Sequence, residues 1–193
     1  MFDTIWNDII TNNILGYSKT KILFNELMDC VDINGNTAEI GVYKGNISKL
    51  IKIATPDKKH YCYDTFCGIT NSQSCDFHLD GEFNCNLETV KKNINSKNVI
   101  YKVGYFPDTF DLLNERFCFV YSDTATYNGA KNSCLLFCNR MVSGGKIVFY
   151  IDDKCKGVKL AIQEFIEMED GLDGFNISHN SCFCIFTKKI IMT

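Results

Sequence analysis

This sequence has no excess of basic charge: 20 Lys and Arg against 23 Asp and Glu leave a formal charge of −3. The basic patch that marks most nucleic-acid binders is therefore not expected. No apolar run reaches about eighteen residues, which argues against a membrane-spanning helix. The first residues, Met1-Phe2-Asp3-Thr4, show neither the basic start nor the apolar core of a secretory signal. Paired Cys-x-x-Cys units are missing too, so the eleven cysteines do not point to zinc. Cys62, Cys118, Cys134 and Cys182 lie in apolar stretches, where a free thiol behaves as a small hydrophobe. The expectation is a set of reduced core cysteines in a cytoplasmic compartment. A Gly-x-Gly-x-x-Gly run is also lacking, which disfavours a nicotinamide dehydrogenase. Neither a linker nor an internal repeat interrupts the chain. Its 193 residues, 46% apolar and 22% charged, read as one globular domain, 1–193, able to bury a core.

What is present is an alternation. Ile22, Leu23, Leu27 and Val31 form one stripe of an amphipathic helix near 18–31, within an N-terminal helical segment 1–34. A strand near 37–40, a helix near 46–54 stopped before Pro56, and a strand near 60–64 follow. Residues 65–83, rich in Gly, Asn, Ser and Asp, read as a long loop, and loops of that length are usually functional. A helix near 84–95 and strands near 99–103 and 117–121 come next. Then come a helix near 127–140, a strand near 145–151 and a helix near 155–168. Strands near 174–178 and 182–188 flank a turn-like His179-Asn180 and read as an antiparallel hairpin. Alternating strands and helices predict an α/β, Rossmann-like fold: a mostly parallel seven-stranded sheet with helices on both faces and an antiparallel hairpin at its C-terminal edge.

In such sheets ligands bind beyond the carboxyl ends of the strands. The first strand ends in Glu39-Ile40-Gly41-Val42-Tyr43-Lys44-Gly45, an acid followed by a glycine turn into a helix. Without a side chain, Gly41 lets a ligand approach the backbone, and the free amides of the next helix favour a carboxylate. Asp64 ends the second strand about twenty residues on, where nucleotide-binding folds place a ribose-binding acid. Gly104-Tyr105-Phe106 ends the third and offers an amide or a flat ring to a base. Asp123 ends the fourth strand and Asp152-Asp153 the fifth. Three converging carboxylates repel one another unless a cation sits among them, and oxygen ligands suit Mg²⁺. Of the histidines, His78 in the long loop has a suitable pKa for a general base, whereas His60 precedes a strand and His179 falls in the hairpin turn.

Taken together, six segments resemble the macrocin O-methyltransferase (TylF/MycF-type) family of class I S-adenosylmethionine-dependent methyltransferases. They are Glu39 to Gly45, Tyr63-Asp64-Thr65-Phe66-Cys67-Gly68, Gly104 to Thr109, Asp123 to Tyr127, Gly144 to Asp153 and Gly157 to Phe165, spanning roughly 35–168. The resemblance implies the class I methyltransferase fold and binding of S-adenosyl-L-methionine. Glu39, Gly41, Tyr43 and Gly45 would lie at its methionine end, Asp64 and Thr65 at the ribose, and Gly104, Tyr105 and Phe106 at the adenine. It further implies Mg²⁺ held by Asp123, Asp152 and Asp153, with the metal activating an acceptor hydroxyl beside Asp123. The loop 65–83 would act as a lid, and the acceptor would be a sugar or glycan hydroxyl. Ala125 stands where the family often has a second acid, and Cys67 where it has Glu. Two other readings are a metal-independent methyltransferase for a small phenol or amine, and a non-catalytic binding protein. Residues 1–17, with Phe2, Ile5 and Trp6, would cover the site or pack on a second copy in a homo-oligomer.

Overall fold

The computed structural model describes residues 15–190 apart from 113, 169–171 and 173. Phe2, Ile5 and Trp6 lie outside the described residues. The elements in chain order are α1 (Gly16–Met28), β1 (Asn36–Ile40), α2 (Asn46–Ala54), β2 (His60–Asp64), α3 (Leu87–Ile94) and β3 (Val99–Val103). They continue with β4 (Phe117–Ser122), α4 (Tyr127–Phe137), β5 (Met141–Tyr150), α5 (Lys156–Glu167), β6 (Phe175–Asn180) and β7 (Phe183–Lys188). The seven strands form one sheet in the order β3-β2-β1-β4-β5-β7-β6. The first five pair in parallel, and β7 joins β5 and β6 antiparallel. This is the Rossmann-like architecture of class I methyltransferases.

Burial follows the period of two that a pleated strand imposes. On β5, Ile147 and Phe149 join the core under α4 and α5, beside Ala130, Phe137, Val158, Ile162 and Phe165. Val148 faces the other way, toward Leu23 and Leu27 of α1 and Ile47 and Ile51 of α2. All six residues of β4 are buried, as a central parallel strand covered on both faces requires. Each such large apolar side chain contributes about 1.5–3 kcal/mol. Among the described residues no helix is long and apolar enough to cross a membrane.

The helices expected near 18–31, 84–95 and 127–140 run over Gly16–Met28, Leu87–Ile94 and Tyr127–Phe137, and two strand boundaries also differ from the sequence expectation. The strand expected near 145–151 begins at Met141, because a register irregularity between Phe117 and Phe119 admits extra residues on β5. The hairpin turn is Ser181-Cys182, with Ser181 in the left-handed region (φ 57), so His179 sits in β6 and not in a turn. Ser178, His179 and Asn180 are exposed because β6 is an edge strand, and that polarity imitates a turn.

Candidate active site

The carboxyl ends of β1 to β5 open into one cavity of about 360 Å³, within the roughly 300–1,000 Å³ of small-molecule sites. Gly41 and Tyr43 line it from the first turn, Asp64 and Thr65 from the second, and Gly104, Tyr105 and Phe106 from the third. Asp123 and Asp152 come from the fourth and fifth, and the loop 65–83 contributes Thr70, Phe77 and His78 among others.

The glycine turn is fixed by close packing. Gly41 has φ +85, and a Cβ there would lie 2.2 Å from the Asp123 carbonyl oxygen. Asp64 stitches the turn shut: its Oδ2 accepts the Val42 and Tyr43 amides at 2.7 and 2.9 Å, and its Oδ1 accepts the Phe66 amide at 2.7 Å. A carboxylate offers about four lone-pair sites, so one remains for a ribose hydroxyl. Thr65 turns its hydroxyl to the Gly68 carbonyl at 2.5 Å. Among the described residues the Thr70 hydroxyl is buried with no protein partner, and its residue lines the cavity.

Two residues expected at the methionine end are placed elsewhere. Glu39 is buried and does not line the cavity; its carboxylate accepts the Ser48 hydroxyl. Burial, with the charges of Asp123 and Asp64 adding to it, holds this carboxyl well above the usual range. Gly45 caps α2 with φ 80, and a side chain there would strike Ile94 and Val90, so its glycine serves α2–α3 packing. Gly45 has no side chain with which to cap α2, and the Ser48 amide in its first turn is turned to the buried Glu39 carboxylate.

Asp123 is half-buried and accepts the Tyr121 hydroxyl at 3.1 Å. Burial pushes its pKa up to about 6, against the opposing pull of that hydrogen bond and of the charges on His78 and Lys19. The folded value lies above the ordinary 3.8, so folding favours the protonated form. This group's stabilising contribution is complete below pH 3.8 and is lost as pH rises through about 6. Urea midpoints of wild type and Asp123→Asn, taken at roughly pH 4 and roughly pH 7, should therefore diverge. Wild type loses ground to the variant at the higher pH; a gap that does not change with pH would contradict the assignment.

The three aspartates do not gather as a metal site. The Asp153 side chain is fully exposed and pairs with Lys159 at 2.7 Å. Asp152 accepts the Lys154 amide at 2.9 Å and the Tyr150 hydroxyl at 3.2 Å, the amide chiefly keeping its carboxyl low. Among the described residues no three His, Cys, Asp or Glu side chains converge as a metal ion needs. The residues present do not fit the magnesium that the family resemblance implied.

The cavity wall also carries His78, which the sequence reading had not joined to Glu82. His78 Nδ1 lies 2.8 Å from Glu82 Oε2, and the Leu79 amide donates to Glu82 Oε1 at 3.0 Å. An ionised carboxylate only accepts, so Nδ1 carries a proton; in the neutral ring Nε2 then holds the lone pair, and in the imidazolium it carries a second proton. Phe77 and Phe83 stand edge-on to the ring, at 5.1 and 4.8 Å. The other histidines are remote in chemistry: His60 is buried between Thr37 and Ser48 with its pKa driven by burial to about 3, and His179 is exposed on the edge strand. The loop is fastened by Asp76, whose Oδ1 accepts the Tyr127 amide at 2.7 Å at the start of α4, a favourable place for an anion. A Cβ on Gly157 would lie 2.2 Å from that same oxygen.

No family model matches the chain, and no curated protein does. Solved structures do. The O-methyltransferase NovP is similar at 16% identity and a TM-score of 0.71, over 87% of this chain and 80% of that one. CalS11, a TDP-rhamnose 3'-O-methyltransferase of calicheamicin biosynthesis, is similar at 15% and 0.62, over 96% and 93%. SMU.1697c, a putative methyltransferase from Streptococcus mutans in complex with SAH, is similar at 13% and 0.64, over 88% and 97%. What these share with this chain is the fold.

Proposed function

We propose that this chain is an S-adenosylmethionine-dependent O-methyltransferase acting on a hydroxyl of a sugar-bearing small molecule. The observation that carries the reading is one cavity whose walls include the Gly41 turn laced by Asp64, Asp123, and His78, whose ring is paired with Glu82. The residues fit the methyl donor: a backbone cradle that admits no side chain, a spare acceptor on Asp64, the unpartnered Thr70 hydroxyl, and aromatic walls at Tyr105 and Phe106. Bound there, S-adenosylmethionine supplies a methyl carbon on a sulfonium, which departs with the carbon–sulfur electron pair remaining on sulfur.

The chain's own groups do the rest. Gly41, Tyr43 and Asp64 hold and orient the donor, and the loop 65–83 excludes water as a lid. His78 Nε2 takes the proton of the acceptor hydroxyl as its oxygen bonds to the methyl carbon. Glu82 holds the ring in the required tautomer and favours the imidazolium that results. Proximity and fixed charge supply the acceleration. The sugar acceptor is favoured by the likeness to CalS11 and by the six sequence segments; Ala125 opens the acceptor side, where the family often has an acid.

Calorimetry with S-adenosylhomocysteine tests the donor half, with one site and a rise in melting temperature expected. A ligand at 100 times its Kd stabilises by about 2.7 kcal/mol, which is about 5–10 °C for a domain of this size. Transfer of labelled methyl from S-adenosylmethionine to nucleotide sugars, against phenols and an RNA oligonucleotide, tests the acceptor half. Absence of any heat with S-adenosylhomocysteine would leave the non-catalytic reading standing.

A further inference from the structure

The disagreement between the aspartates and a metal points to what takes the metal's place. Asp123 and Asp152 follow two residues after Tyr121 and Tyr150, on neighbouring strands, and each accepts the hydroxyl of its own tyrosine. Because Ser122 pairs with Phe149, the next residues, Asp123 and Tyr150, lie side by side. Two carboxylates at one sheet edge still need a counter-charge. Lys19 of α1 delivers one: its Nζ donates to the Tyr150 hydroxyl at 2.8 Å and lies 5.1 Å from that ring's centroid. The Lys19 charge acts on both Asp152 and Asp123.

The placement is fixed from behind. Leu23 and Leu27 bury α1 against the sheet, and Lys146 of β5 bridges Glu26 of α1 and Asp29 at its C-cap at 2.7 and 2.6 Å. Asp153, the third expected ligand, is committed to Lys159 in solvent.

We propose that Lys19, carried to the sheet edge on α1 and linked through the Tyr150 hydroxyl to Asp152, replaces the divalent metal, so that methyl transfer here is metal-independent. Lys19 is a positioning residue. It does not line the cavity; it fixes Tyr150, which does, and neutralises the aspartate pair next to the acceptor. The inference rests on the methyltransferase reading for its role in turnover, but the charge replacement can be read without any substrate.

The test compares wild type, Lys19→Met and Lys19→Arg by Mn²⁺ titration, followed by electron paramagnetic resonance, and by methyl transfer with and without EDTA. Wild type and Lys19→Arg should bind no Mn²⁺ at the site and ignore EDTA. Lys19→Met should acquire a Mn²⁺ site that Asp152→Asn abolishes. Its turnover should fall about 10- to 100-fold, the scale of one lost charged hydrogen bond, and recover partly with Mg²⁺. Tight stoichiometric Mn²⁺ binding by wild type, loss of turnover in EDTA, or a Lys19→Met protein unchanged in both readouts would overturn the proposal. If no acceptor is methylated at all, the parent reading fails, yet the Mn²⁺ comparison still decides this one. Lys19 is only partly buried, so a matched thermal melt confirms that each variant is folded.

Discussion

Replacing His78 with alanine is expected to lower kcat by about 10²–10⁴-fold, the contribution of a positioned general base, with S-adenosylhomocysteine affinity nearly unchanged. The ring sits between two aromatic edges in a loop, outside the buried core clusters, so its removal leaves the sheet intact. Its orientation comes from Glu82, which is itself held by the Leu79 amide. Glu82→Gln keeps an acceptor oxygen and loses the charge, so a smaller loss is expected. The check is initial rate against pH for the three proteins beside calorimetric affinity. Substantial turnover by His78→Ala would remove this histidine from the chemistry and leave Asp123 as the remaining acceptor of the proton.

The second large effect lies at the glycine turn. Gly41→Ala places a methyl group 2.2 Å from the Asp123 carbonyl oxygen and 2.8 Å from its carbon, both backbone atoms that cannot swing aside. The ends of β1 and β4 must part, and alanine must also hold φ +85. Left-handed backbone costs roughly 1–2 kcal/mol and overpacking about 1–3 kcal/mol, so the melting temperature should fall by about 5–15 °C. Donor affinity should fall further than stability does, because the parted strands carry the cradle. Gly81→Ala is the control: it shares the left-handed backbone (φ +90) but meets open space. If the two variants behave alike in S-adenosylhomocysteine titrations, the close approach at Gly41 has no bearing on the donor.

The fold was legible because its central strands are continuous apolar runs bounded by turns, as at Phe117 to Tyr121, and because helices alternate with them. Gly41, Asp64, Asp123 and Gly104 to Phe106 were legible as strand ends, since the topology forces those ends to one edge. Side-chain direction was harder to read. Asp152 and Asp153 lie beyond the end of β5, Asp153 already in the turn before α5, so adjacency in sequence did not bring both to the cavity. Glu39 turned inward because Ser48 offered a buried partner nine residues away, which spacing alone does not announce. Lys19 and Glu82 left no mark: one acts across 131 positions of sequence, and the other depends on how an irregular loop folds back.

The contact between Asp76 and the Tyr127 amide has a consequence for traffic. The roof of the chamber is bolted to the first turn of α4, and Gly157 at the start of α5 leaves just enough clearance for the bolt. Swinging that roof outward breaks this bond, whichever molecule is arriving or leaving. On the proposed lid role of the loop, exchange of ligands requires this one carboxylate–amide contact to break.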